Sequence, residues 1–212
     1  DPQANATSGI GVDKSVSNGV YDVLINGVDT RKAIVSTPYG DVLPSSKALA
    51  GAGIEMIEME DRQFRLKTAL DAVEADYDFI FIDCPPSLEL LTLNALCAAH
   101  SLLVPLQGEY YALEGLSDLM NTVRIVRRNM NPRLEIEGVL LTMFDGRTNL
   151  AMQVAQEVKR FFPGKVYSTV IPRNVRLSEA PSHGKPITSY DGNCRGADAY
   201  IALAAEFLKK NP

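Results

Sequence analysis

Asp78-Phe79-Ile80-Phe81-Ile82-Asp83-Cys84-Pro85-Pro86-Ser87 decides the fold. Phe79 to Ile82 are apolar and mostly strand-prone; they stop at Asp83, and Pro85 and Pro86 forbid further ladder pairing. This pattern predicts a buried strand with one carboxylate at its C-terminal tip. Open α/β sheets present metal-binding groups to a ligand in that way. On this segment alone, a parallel strand that happens to stop at an Asp remains an equal alternative.

The surrounding chain alternates regularly. Helical spacing is read over 61–75, with Phe64, Leu66, Leu70 and Val73 grouped on one side, and a buried helix over 88–99. Leu102-Leu103-Val104 reads as a short buried strand stopped by Pro105. Gly115 to Met130 is an amphipathic helix carrying Arg124, Arg127 and Arg128. A strand over 136–143, a helix over 151–161 and a strand over 165–171 closed by Pro172 follow. One helical turn over 174–179 and a final helix over 197–210 complete the pattern. Strands alternating with such helices mean βαβ units, hence an α/β fold with a mainly parallel, doubly wound sheet covered on both faces. Residues 1–60 are less regular, with a short helix over 21–25 and a hairpin around Tyr39-Gly40-Asp41. Nothing separates them, so one domain over 1–212 is expected.

Composition narrows the function classes. The chain has 212 residues, 46% of them hydrophobic and 22% charged, as in an ordinary globular protein. No run approaches the ~18 apolar residues of a membrane span. Cys84, Cys97 and Cys194 form no CxxC pair and fit a reduced, cytoplasmic setting; His100 and His183 have no zinc-ligand spacing. The net charge of −5 argues against coating nucleic acid over the whole surface, yet leaves room for a local basic patch.

Four segments read in order carry a family resemblance. Asp1-Pro2-Gln3-Ala4-Asn5-Ala6-Thr7 resembles the Walker-A′ segment of the ParA/Soj partitioning ATPases, and Asp83-Cys84-Pro85-Pro86-Ser87 their Walker-B segment. The stretches from Thr142 to Asn149 and from Ile171 to Ser182 are similar to the family's downstream signatures. The resemblance implies ATP and Mg²⁺ as cofactors. Asp1 corresponds to the carboxylate that positions the attacking water, Asp83 to the Mg²⁺-associated carboxylate, and Pro172 and Asn174 to the adenine pocket. Arg147 and Arg176 correspond to arginines that hold DNA phosphates without reading sequence. It further implies a nucleotide-driven homodimer on non-specific double-stranded DNA, a stimulating ParB/Spo0J-type partner, no membrane, and a cytoplasmic, nucleoid-associated location.

Plainer alternatives stand beside each role: a frayed chain end for Asp1, a turn after a strand for Pro172 and Asn174, and ion-paired or solvated side chains for the arginines. Arg124, Arg127 and Arg128, on the helix over 115–130, read first as a solvated helix face. Cys84 reads as a small buried hydrophobe at a strand end.

One part of the family pattern is not found in residues 1–212. No Gly-Lys-Ser/Thr loop occurs; Ser8-Gly9-Ile10-Gly11 and Gly51-Ala52-Gly53 do not supply one. The family's P-loop precedes the Walker-A′ Asp, so the expectation is a polypeptide that continues upstream, with a strand-swapped dimer or a rearranged sheet as alternatives. Whether residues 1–212 hydrolyse ATP by themselves is left open. The rival functions are a P-loop-less, non-enzymatic DNA- or partner-binding scaffold and a MinD-like, membrane-cycling ATPase.

Overall fold

In the computed structural model, which describes residues 1–212, the strand–helix alternation sorts into two units. The first contains Asp1–His100, Ile125–Leu134 and Pro181–Pro186; the second contains Ser101–Arg124, Glu135–Ala180 and Ile187–Pro212. The α/β class holds.

The first unit begins with α1 (Asn5–Gly9), α2 (Val20–Ile25) and α3 (Thr30–Ala33). Local acceptors set the starts of α2 and α3: the Asp22 carboxylate accepts from the Gly19 N–H, and Asp29 accepts from the Arg31 N–H. The expected hairpin is present as β1 (Val35–Thr37) paired antiparallel with β2 (Gly40–Val42). Helices α4 (Leu49–Glu55), α5 (Arg65–Asp71) and α6 (Leu90–Ala98) follow and pack with α2 through Leu24, Leu49, Ala52, Leu66 and Ala95. Buried Asn94 ties α6 to α5: its Oδ1 accepts from the Leu66 N–H, and its Nδ2 donates to the Arg62 and Leu90 carbonyls. Every polar atom of that amide is thus matched, so its burial carries no desolvation penalty. The helix expected over 61–75 is shorter, because Asp61 turns the chain in the left-handed region (φ 49°) before α5 begins.

The strand expected over 79–82 is corrected. These residues run without regular secondary structure and pair with no strand. Phe79, Ile80 and Phe81 are 41%, 39% and 72% exposed, where burial was expected. A strand is defined by its ladder, and strand propensity in Phe-Ile-Phe-Ile expresses only a preference.

The second unit is built on a parallel ladder. Strand β3 (Ser101–Gln107) pairs with β4 (Glu135–Thr142), connected by α7 (Tyr110–Asn129), whose final residues from Ile125 belong to the first unit. Contrary to expectation, Pro105 does not stop β3; it lies opposite Leu140 and the strand continues to Gln107. A proline is tolerated where its missing N–H faces an unpaired edge. The strand expected over 165–171 is reduced to two parallel bridges, Val139 with Val166 and Phe144 with Pro172. Hydrogen bonds from the Tyr167 N–H to Val139 and from the Ile171 N–H to Leu141 keep it against β4.

Period-two alternation sends the two faces to different helices. Val104, Leu106, Val139 and Leu141 pack with Leu116 of α7 and with Val154 and Val158 of α8 (Asn149–Phe161). Leu103, Leu140, Tyr167 and Ile171 face the opposite way. After α9 (Val175–Glu179) and α10 (Ile187–Tyr190), helix α11 (Arg195–Lys210) covers them with Ala199, Leu203 and Phe207. The expected covering of both sheet faces is therefore present within this unit. Gly138 makes room for the Tyr167 ring: a Cβ there would lie 2.7 Å from it.

Two contrasts test this packing. Gly138→Ala is expected to destabilise by about 1–3 kcal/mol through overpacking against Tyr167. Gly115→Ala in α7, where a Cβ meets nothing within 4 Å, should be neutral or stabilise by up to ~1 kcal/mol. Urea unfolding midpoints measure both. Phe81→Thr should lower binding of a hydrophobic dye while changing stability by no more than about 0.5 kcal/mol, since that ring is already mostly in water.

Candidate functional site

Asp1 and Asp83 meet in the first unit. The Asp1 main-chain nitrogen donates to the Asp83 carbonyl at 3.0 Å, and the Asp1 carboxylate accepts from the Gln3 N–H at 3.0 Å. The Asp1 carbonyl receives the Ser45 hydroxyl at 2.8 Å, while the Ser45 N–H donates to buried Thr7. Asp1 is therefore held by Gln3 nearby and by Ser45 and Asp83 from distant parts of the chain. Asp83 is anchored through its main chain, and its side chain lies at an exposed position.

A cavity of about 310 Å³ lies beside this junction, lined by Asp1, Thr7, Tyr77, Phe79, Asp83 and other, mostly apolar, residues. On its wall the Tyr77 hydroxyl donates to Asp41 at 2.8 Å. That bond raises the tyrosine's pKa; hydrogen bonds from Ser36 and then Tyr77 lower that of Asp41. Cys84 is exposed as a residue, which corrects the expected burial. Desolvation by the atoms packed around its thiol still raises its pKa, so it is a poor thiolate nucleophile.

No cluster of three or more His, Cys, Asp or Glu side chains has metal-holding geometry. The donor set nevertheless suits Mg²⁺, which keeps several waters and takes one or two carboxylates together with substrate phosphates. Asp83, exposed and oxygen-bearing, fits that ion, with Asp1 adjacent to it along the backbone contact.

The other four residues assemble in the second unit. Past the carboxyl end of β4, Met143 adopts a left-handed conformation (φ 47°), and the chain turns through Phe144 to Arg147. The Phe144–Pro172 bridge sets this loop beside 171–174. Such an edge, outside the carboxyl ends of parallel strands, is where open α/β folds bind ligands. Asn174 is the N-cap of α9: its Oδ1 accepts from the Arg176 N–H at 2.8 Å, which leaves the Nδ2 donors uncommitted by the cap. Pro172 and Asn174 are both half-buried.

Both arginines are ion-paired. Arg147 makes a two-pronged contact with Asp145, Nε to Oδ1 at 2.8 Å and Nη2 to Oδ2 at 2.6 Å. This drives the Asp145 carboxyl down to about 2, the side-chain hydrogen bond from Arg147 being the largest cause. Arg176 reaches Glu179 at 2.9 Å and Asp191 at 3.2 Å. These acids escaped the sequence reading, although Asp145-x-Arg147 and the i,i+3 spacing of Arg176 and Glu179 carry the signal. On α7, Arg124, Arg127 and Arg128 are exposed as a solvated face, and Arg124 donates to Asn121 at 2.7 Å.

Comparison with known proteins agrees with this arrangement. The AAA domain family profile matches residues 1–136. The sporulation initiation inhibitor protein Soj of Bacillus subtilis is 58% identical over 97% of this chain and 83% of its own. The chromosome partitioning protein ParA of Myxococcus xanthus is 49% identical over 100% of this chain and 76% of its own. Among solved structures, cobyrinic acid a,c-diamide synthase from Mycobacterium smegmatis with bound ADP and magnesium superposes with a TM-score of 0.84. It is 34% identical, and the match covers 99% of this chain and 79% of that one. An α/β fold with parallel strands, in-order signatures along the whole length and relatives of this identity leave one reading: the chain belongs to the Soj/ParA family of chromosome-partitioning ATPases.

Proposed function

We propose that this protein is a ParA-type ATPase of DNA segregation that couples ATP binding and hydrolysis to dimerisation and to non-specific binding of double-stranded DNA. The observation that carries the reading is the Asp1–Asp83 junction, where a main-chain contact sets beside each other the two residues that the family resemblance assigns to water activation and to Mg²⁺. Asp83 would hold Mg²⁺ with its carboxylate. Asp1 accepts a hydrogen bond from the attacking water and orients it toward the γ-phosphorus. Mg²⁺, when bound, neutralises charge developing on the phosphate oxygens.

Pro172 offers an apolar surface to the adenine, and the Nδ2 donors of Asn174 reach an acceptor on its edge. Arg147 and Arg176 contact duplex phosphates, which explains binding without sequence preference. A ParB/Spo0J-type partner stimulates hydrolysis and releases the protein from DNA, and the protein works in the cytoplasm on the nucleoid. No helix is long and apolar enough to cross a membrane.

Calorimetry with Mg–ATP, paired with phosphate release, tests the catalytic half. Saturable, Mg²⁺-dependent binding is expected, with hydrolysis lost in both Asp83→Asn and Asp1→Ala. DNA binding that proceeds without any response to ATP would instead favour the non-enzymatic scaffold. Asn174 separates pocket from fold. Asn174→Asp keeps the cap acceptor but loses the amide donors, so ATP affinity should fall about tenfold, the worth of one hydrogen bond, at an unchanged melting temperature. Asn174→Ala removes the cap as well and should cost about 1 kcal/mol of stability.

A further inference from the structure

Arg147 and Arg176 are the residues proposed to meet DNA, yet neither presents a free charge. The Oδ1 of Asp145 accepts from both the main-chain N–H and the Nε of Arg147, and Oδ2 takes Nη2. One edge of the guanidinium, the one that matches a phosphate in shape, is filled by a carboxylate. The side chain is nevertheless 90% exposed, so its remaining donors face solvent. Arg176 is matched twice: Nη1 by Glu179 and Nε by Asp191. Glu179 is itself steadied by the Tyr190 hydroxyl at 3.2 Å. The first group is neutral overall and the second is net negative. Arg173 adds a further positive charge felt by Asp145.

Resting on the duplex-binding reading above, we propose that Asp145 and the Glu179–Asp191 pair are built-in counter-ions that clasp Arg147 and Arg176 in place of phosphate. A polyanion must displace these carboxylates before the arginines hold it. For Arg147 the guanidinium exchanges one oxyanion for another, while Arg176 gives up two, Glu179 and Asp191, and the released carboxylates return to water. Exposed ion pairs are weak, so the exchange is accessible rather than prohibitive. Because Asp145 stays ionised down to about pH 2, the clasp persists throughout the neutral range. The clasp lowers affinity, because each ion pair must be opened before a phosphate takes its place, while the counterions released from the duplex still set the salt dependence.

The experiment is fluorescence anisotropy of a short duplex DNA of mixed sequence with Mg–ATP present, across a series of salt concentrations. Wild type is compared with Asp145→Asn, Asp191→Asn and Arg147→Ala. Asparagine at 145 keeps the oxygen that accepts from the Arg147 N–H, so the turn is preserved, and melting temperatures verify folding. Asp145→Asn and Asp191→Asn are expected to bind several-fold tighter, and Arg147→Ala to bind more weakly with a log–log salt slope shallower by about 0.9. Binding by Asp145→Asn under conditions where the wild type is silent supports the clasp equally. If the two acid variants match the wild type in affinity while Arg147→Ala weakens, the clasp is overturned and the duplex reading stands. If none of the four proteins binds, the duplex reading falls and the clasp with it.

Discussion

The parallel pairing of β3 with β4 is the interaction on which the second unit depends. Its register, from Ser101 opposite Glu135 to Gln107 opposite Thr142, decides which side chains face α7 and α8 and which face α11. A slip of one residue would exchange Val139 and Leu141 with Leu140 and turn both apolar faces wrong way round. The same register places the end of β4 where Met143 turns the chain, and so fixes the Arg147 loop beside Pro172. The candidate phosphate and adenine contacts are thus consequences of strand pairing rather than of local loop sequence.

Most of this architecture was legible because hydrophobic pattern and burial agree. The apolar strand over 136–143 and the helix over 151–161 comprise residues whose burial is decided inside one unit. The cap at Asn174 was legible as a helical turn for a local reason: a short acceptor side chain two residues before the N–H it caps. The misreadings share one physical origin. Phe79 to Ile82 have strand propensity, but a ladder is a property of two segments and is not encoded in either one alone. Pro105 fails in the opposite sense, since a proline ends a strand only if its nitrogen faces a partner.

The candidate site was legible as a set of residues and illegible as an electrostatic object. Arginine is read from sequence as positive charge, yet its effect on a ligand depends on what already occupies its donors. Asp145 lies two positions before Arg147 and Glu179 three positions after Arg176, separations at which pairing is decided by turn and helix geometry. Asp191 joins Arg176 only through the fold of α9 and α10, and no local pattern announces it. Asp1 and Asp83 likewise meet across a long stretch of chain through main-chain atoms, whose positions side-chain motifs do not encode.

Helix α11 brings a temporal constraint. It supplies the cover for the sheet face carrying Leu103, Leu140 and Tyr167, although it follows β3 and β4 in the chain. During synthesis, which adds about 5–20 residues per second, that face stays wet for several seconds after the two strands have left the ribosome. Non-local pairing is slow to begin with, because α7 must close the crossover before β4 finds β3. The nascent chain therefore passes through a stage with one face of the ladder sealed by α7 and α8 and the other open to chaperones or to neighbouring nascent chains. Shortening α11 prolongs that stage indefinitely.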